Sequence, residues 1–299
     1  MRCRPRLDPA LAKRSNVRVT SPESIFIEGD STHRIHVADW GGTGSPLLLL
    51  HGMGAHSHWW DPVVPALTGS FRVYAMDLRG HGESDWAEPP RYSLRNYTWD
   101  IEHVRRHFGW NSFLLAGHSL GARVSLRYAR EHSGRVERLM LLDFLAAVRE
   151  ENENKYELKM KRRQPTYADR DLMIRRFHLQ PSGTRAPREL LDSIAANSVR
   201  QLENGRWSWK FDWRAFYMEY PAVWDEIAGF ESPSLVLRGE KSTVMPRSAY
   251  DKVLDALPNG VGIEIPGAHH HVTLDAPMAV ARHMLEFSLP SLGAGGFSF

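Results

Sequence analysis

Sorted into apolar and polar positions, the chain alternates between two kinds of run. PLLLLHG (46–52), FRVYAMDLRG (71–80), SFLLAGHS (112–119) and VERLMLLDF (136–144) are short, almost continuously apolar and bounded by turn residues. That is the pattern of strands buried on both faces. LRNYTWDIEHVRRHF (94–108) and LGARVSLRYAREH (120–132) have apolar residues at helical spacing instead. HWWDPVVPAL (58–67) also reads as a helix, despite Pro62 and Pro65. SIFIEG (24–29) and HRIHVADWGG (33–42) alternate with period two, as in a hairpin at a sheet edge. Strand and helix in strict alternation predict an α/β fold, a mostly parallel, doubly wound sheet with helices on both faces.

The rhythm breaks after Asp143. From 148 to 231 the chain is charged, helical in pattern, and then rich in aromatics. GRWSWKFDWRAFYMEYPAVWDEIAGF (205–230) holds four of the ten tryptophans. Alternation resumes with PSLVLRGE, PRSAYDKVLDALP, VGIEIPG and APMAVARHMLEFSL. The expected organisation is a core of 21–147 and 232–299, a helical, aromatic-rich lid at 148–231, and a basic N-terminal extension at 1–20. Of the lid aromatics, one to three are expected to face a pocket; the rest would form the lid's own small core.

Composition narrows the function classes. Hydrophobic residues make up 42% and charged residues 24%, as in a globular protein. A net charge of +3, with no basic stripe interleaved with aromatics, argues against a nucleic-acid partner. No apolar run is long enough to span a membrane, and no apolar segment follows Met1 as in a secretion signal. The single cysteine, Cys3, excludes an internal disulfide and fits a reducing cytoplasm. The basic run KMKRRQ (159–164) reads as a solvated helix face.

Candidate chemistry centres on Gly117-His118-Ser119-Leu120-Gly121, a G-x-S-x-G motif between a predicted strand and a predicted helix. Glycines let the chain turn sharply so that the serine hydroxyl projects free, and the helix N-terminus faces any negative charge developing there. A serine needs a base to take its proton, and histidine suits neutral pH. His269, His270 and His271 follow the last predicted strand. Three adjacent histidines also suggest metal binding, but no histidine-and-carboxylate spacing of a zinc site accompanies them, so no metal or other cofactor is expected.

Together HGMG, DLRGHGES, GHSLGA and GAHHHVTLDAP, in this order, resemble the α/β-hydrolase family over about residues 24–288. The resemblance implies an eight-stranded sheet and an oxyanion hole from the backbone N–H groups of Met53 and Leu120. It also implies His270 as the base, counted back from Pro277, with His269 in place of the family's usual glycine. His51, His81 and His118 read as loop supports, and His118 also as a pocket wall, with Trp59, Trp213 and Tyr217 as substrate-binding candidates. Asp77 is expected to tie down its own loop. The family's acid usually stands where this chain has Ser242 or Thr243, neither of which carries charge. Three alternatives stay open: Asp143 at the end of RLMLLDF, Glu240 just past Gly239, and a Ser–His dyad helped by water or Ser242.

The resemblance implies a serine hydrolase acting on a small-molecule substrate, an ester or lactone of a largely apolar compound. The alternatives are a C–C bond hydrolase of ring-cleavage products and, from another class, a slow or inert ligand-binding protein. Epoxide hydrolases and haloalkane dehalogenases of this fold resemble the chain less, since they carry Asp at the position of Ser119.

Overall fold

The computed structural model describes residues 21–30, 33–147, 164–217 and 221–289, with Tyr217 as backbone only. The basic extension at 1–20, the KMKRR of the basic run and the Tyr217 side chain therefore lie outside the described residues. Eight strands form one sheet: β1 (Glu23–Glu28), β2 (Arg34–Gly42), β3 (Pro46–Leu50), β4 (Arg72–Met76), β5 (Phe113–His118), β6 (Val136–Leu142), β9 (Ser234–Gly239) and β10 (Gly260–Ile265). Their spatial order is β1-β2-β4-β3-β5-β6-β9-β10. β1 and β2 pair antiparallel, as does β2 with β4, and from β4 onward every pairing is parallel.

The continuous apolar runs become the central strands because helices cover both faces. Within β3, Leu48 and Leu50 face one hydrophobic cluster and Leu47 and Leu49 the other. The first cluster packs under α1 (Leu94–His107) and α2 (Leu120–Glu131), the second under α8 (Pro277–Ser288). Helix α1 shows how the pattern is used. Leu94, Tyr97, Ile101 and Val104, spaced three and four apart, are buried, and Ser93 accepts a hydrogen bond from the N–H of Asn96 to start the helix.

HWWDPVVPAL is not one helix. It forms two short 3-10 turns, Ser57–Trp60 and Val64–Ala66. Pro62 and Pro65 have no N–H to donate, so a continuous α-helical ladder cannot run through them. The insertion also differs from an all-helical lid. Beside α3 (Arg170–Arg175), α4 (Arg188–Asn197) and α5 (Trp224–Ile227) it holds an antiparallel hairpin, β7 (Val199–Gln201) with β8 (Trp207–Trp209). Its strand β8 is only three residues, Trp207-Ser208-Trp209, with Ser208 buried between two half-buried rings. No helix among the described residues is long and apolar enough to cross a membrane.

The loop after β4 is fixed to this frame by a buried ion pair. Arg79 donates from Nε and Nη2 to both carboxylate oxygens of Asp100 on α1, at 2.7 and 2.6 Å, and His33 Nε2 meets the same carboxylate at 3.0 Å. Both side chains are inaccessible to solvent. Removing Asp100 leaves the buried Arg79 guanidinium with only the more distant Asp30 carboxylate, at 3.6 Å, so Asp100→Ala should cost about 3–5 kcal/mol and lower Tm on the order of 10 °C. Asp192→Ala, which breaks an exposed i,i+4 pair with Arg188, should change stability by less than about 1 kcal/mol. Thermal melts of the two variants beside the parent check both values.

Candidate active site

The parallel strands end on one edge of the sheet, and the candidate residues collect there. Ser119 follows β5 with φ 54° and ψ −114°, a left-handed conformation that ordinary residues avoid. Its N–H donates to the Leu142 carbonyl at 2.9 Å, and the Gly121 N–H to the His51 carbonyl at 3.1 Å, which ties the turn to both neighbouring strand ends. The glycines of the motif are required by contact. A Cβ on Gly117 would lie 2.2 Å from the Gly121 backbone, and one on Gly121 would lie 2.5 Å from the Leu50 carbonyl oxygen. The N–H groups of Met53 and Leu120 find no acceptor among the described residues, and both residues line the same cavity as Ser119.

Asp143 follows β6, the strand next to β5, and is buried with φ 39°. Its Oδ1 lies 2.8 Å from His270 Nδ1 and accepts from Ser242 Oγ at 2.6 Å; its Oδ2 accepts from the Gly239 N–H at 2.7 Å. His270 sits on the loop after β10. Of the three alternatives for a partner to His270, Asp143 is the carboxylate in contact. Ser242 does not touch the imidazole; it donates to Asp143 while accepting from the N–H groups of Val244 and Met245, each at 3.2 Å. Glu240 points elsewhere, to the N–H of Gly267 at 2.6 Å. Burial pushes the Asp143 carboxyl up to about 6 against the opposing hydrogen bonds from Ser242 and Gly239. Burial also lowers His270, to about 3, which favours the neutral imidazole at rest.

The supporting loops are tied by further polar contacts. His51 donates from Nδ1 to the Gly52 carbonyl at 2.7 Å and accepts the Leu78 N–H at its Nε2. Asp77 binds more than its own loop: it accepts the N–H groups of Ser57 and Glu83 and meets His36 Nδ1 at 2.8 Å. His81 donates to the Arg79 carbonyl at 3.0 Å. His118 donates from Nε2 to the His270 carbonyl at 2.9 Å and stands on the cavity wall. His269 does not take a positive φ and gives its N–H to Asp275; the left-handed residue of that loop is Gly267, at φ 71°.

The cavity has a volume of about 900 Å³. Trp59 and Trp213 line it, as expected. Of the insertion aromatics, Trp209, Phe211, Phe216 and Trp224 line it as well, more than the one to three anticipated. The β7–β8 hairpin and the turn after it bring Trp209, Phe211, Trp213 and Phe216 to the cavity and α5 brings Trp224, whereas Trp207 alternates away, beneath Arg170. Two further residues complete the site, His271 of the histidine run, to which the sequence assigned no role of its own, and Asp275, which it did not mark. His271 lines the cavity and packs edge-on to Trp59 at 5.2 Å. Asp275 accepts from the His269 N–H at 2.7 Å, the Thr184 hydroxyl at 2.5 Å and the Arg185 N–H at 2.9 Å, joining the histidine loop to the insertion. Nothing local in the sequence marked Asp275, because two of its three partners lie about 90 residues away.

Comparison with known proteins agrees with this fold. The chain is similar to the esterase Rv0045c of Mycobacterium tuberculosis, 26% identical over 237 residues that cover 77% of each protein. It is 24% identical to the 2-(acetamidomethylene)succinate hydrolase of Mesorhizobium japonicum over 249 residues, 82% of this chain and 88% of that one. The crystal structure of an E-2-(acetamidomethylene)succinate hydrolase shares the fold with a TM-score of 0.79 at 23% identity, covering 89% of this chain and 98% of the other. The family profile described as alpha/beta hydrolase fold matches residues 45–277. With that match across most of its length, the chain belongs to the α/β-hydrolase fold family and is one of its hydrolytic enzymes.

Proposed function

We propose that the enzyme is a serine hydrolase that cleaves an ester or lactone of a small organic acid through an acyl-enzyme on Ser119. The observation that carries this reading is the 2.8 Å contact between His270 Nδ1 and the buried Asp143 carboxylate, on loops flanking the Ser119 turn. Asp143 accepts the Nδ1 hydrogen, which leaves the Nε2 lone pair free to take a proton. His270 Nε2 removes the Ser119 proton as Oγ attacks the acyl carbon. The N–H groups of Met53 and Leu120 receive the developing oxyanion. His270 then protonates the departing alkoxide, and the acyl group stays on Ser119. A water that gives its proton to His270 attacks the ester carbon, and the acid leaves as Ser119 regains its hydrogen. Trp59, Trp213 and the other lining aromatics exclude bulk water and hold the apolar part of the substrate.

The charge of the lining bears on the acid. Arg123, Arg176, Lys210 and Lys252 line the cavity, with no Asp or Glu among the described lining residues, and Arg123 donates to the carbonyls of Leu145 and Pro221. Lys210 is paired with Glu83 and Lys252 lies 4.1 Å over the Trp224 ring. This balance favours a substrate with a carboxylate on its non-reacting part, and a sequence relative carries a succinate in the name of its substrate.

A fluorophosphonate probe should label the parent protein on Ser119 and leave Ser119→Ala unlabelled; absence of labelling in folded parent protein would sink the reading and favour the inert binder. With an activated ester, Asp143→Asn should lower kcat by about 10³–10⁴-fold, since the amide carries no charge and no longer fixes the tautomer. A loss of only a few-fold would return the choice to a dyad. The pH profile follows from the same pair, which titrates as a unit. Protonating it removes the base, so kcat/KM for an uncharged ester should hold level above neutrality and fall about tenfold per pH unit below an apparent pKa near 6. Steady-state rates between pH 4 and 9 test this, and an alkaline limb in place of the acidic one would contradict it.

A further inference from the structure

His118, His270 and His271 meet on one wall of the cavity, all buried, and one ring nitrogen of each lies within 4.8 Å of those of the other two. Each ring has its other nitrogen committed to an oxygen. His270 Nδ1 meets the Asp143 carboxylate at 2.8 Å, His118 Nε2 the His270 carbonyl at 2.9 Å, and His271 Nε2 the Pro181 carbonyl at 3.0 Å. A carbonyl oxygen only accepts, so the hydrogens of His118 and His271 are on Nε2. Lone pairs remain on His118 Nδ1, His270 Nε2 and His271 Nδ1. The last is an orphan: His271 Nδ1 is fully buried with no hydrogen-bond partner among the described residues. Acyl transfer makes no use of it.

Three neutral imidazoles, each giving its second N–H to a carboxylate or carbonyl, reproduce the way proteins prepare histidines for a metal ion. Burial keeps all three uncharged, as ligation requires. Zn–N bonds of about 2.0–2.1 Å in a tetrahedral site set the nitrogens roughly 3.3 Å apart, so the three rings close on the ion from a spacing of up to 4.8 Å. The third ligand comes from the nucleophile turn, 152 residues from His270. That separation is why the run of adjacent histidines alone did not read as a metal site.

We infer that His118, His270 and His271 form a site for a borderline transition-metal ion, zinc or cobalt(II), with water as fourth ligand, and that occupancy blocks hydrolysis. Binding follows from the three imidazoles alone. Inhibition rests on the proposed function, because the ion takes the His270 Nε2 lone pair that would receive the Ser119 proton.

Direct binding separates the two. Chelator-treated full-length protein titrated with Co²⁺ should develop the intense visible absorption of a tetrahedral site, saturating at one ion and bleached by Zn²⁺. Ser119→Ala should bind as the parent does, whether or not Ser119 is a nucleophile. His271→Ala should weaken binding about tenfold or more, and His271→Gln, closer in size, guards against misfolding of the smaller variant. In the parent, Zn²⁺ should slow fluorophosphonate labelling with the midpoint of the direct titration, and protein already phosphonylated on Ser119 should bind cobalt more weakly. The inference is overturned if no tetrahedral spectrum appears, or if a stoichiometric site persists at full affinity in both His271 variants. Failure of the hydrolase reading alone would show as absent labelling beside intact cobalt binding.

Discussion

The Asp143 carboxylate stands where the ends of β6 and β9 meet the loop after β10, and the arrangement of the site depends on satisfying it. It is fully buried, and its two oxygens take a hydroxyl from Ser242, an N–H from Gly239 and the imidazole of His270. A charge so placed is tolerable only with such donors. Two donors come from the end of β9 and its loop and the third from the loop after β10, so neutralising one carboxylate also fixes the register of the β9 loop and the azimuth of the histidine. Ser242 extends the hold by accepting from Val244 and Met245, which folds the loop back over β9.

Local strain is confined to this edge. Among the described residues, Ser119 and Asp143 are the non-glycine residues with positive φ, at 54° and 39°, and they end adjacent strands. Each such conformation costs on the order of 1–3 kcal/mol, which the paired strands beneath and the helix on Ser119 must offset. The Ser119 N–H to Leu142 carbonyl bond, one residue before Asp143, links the two strained turns directly. Ser119 and Asp143 are thus held in one rigid step of the sheet rather than on independent loops.

Most of the frame was legible because burial on both faces leaves a plain signal. PLLLL and FLLAGH have little polar character, and their strand state follows from that alone. The edge hairpin read equally well from its period of two. Legibility failed where short-range and long-range demands conflict. In HWWDPVVPAL the apolar spacing suggests a helix, yet the two prolines withhold donors and leave only 3-10 turns. In WSWKF three residues are too few to show a period, so the hairpin and the rings it directs inward were invisible. Position after β6 made Asp143 a candidate from strand order, but the choice between it and Glu240 depended on distances that no spacing encodes. Asp275 and the free Nδ1 of His271 left no trace in the sequence, since both are defined by partners on the insertion.

The shared carboxylate of Asp275 has a bearing on how such enzymes can be remodelled. It takes one N–H from the histidine loop and a hydroxyl and an N–H from Thr184 and Arg185. The roof of the cavity is therefore not a detachable module resting on an autonomous catalytic base. A chimera that exchanges the segment around 184 for that of a relative inherits a half-satisfied acid beneath the grafted piece, and the loop holding the histidines loses its anchor at the same moment. Transplants that keep the Thr-Arg pair in place, and vary the aromatic rings beyond it, alter the cavity while leaving that junction whole.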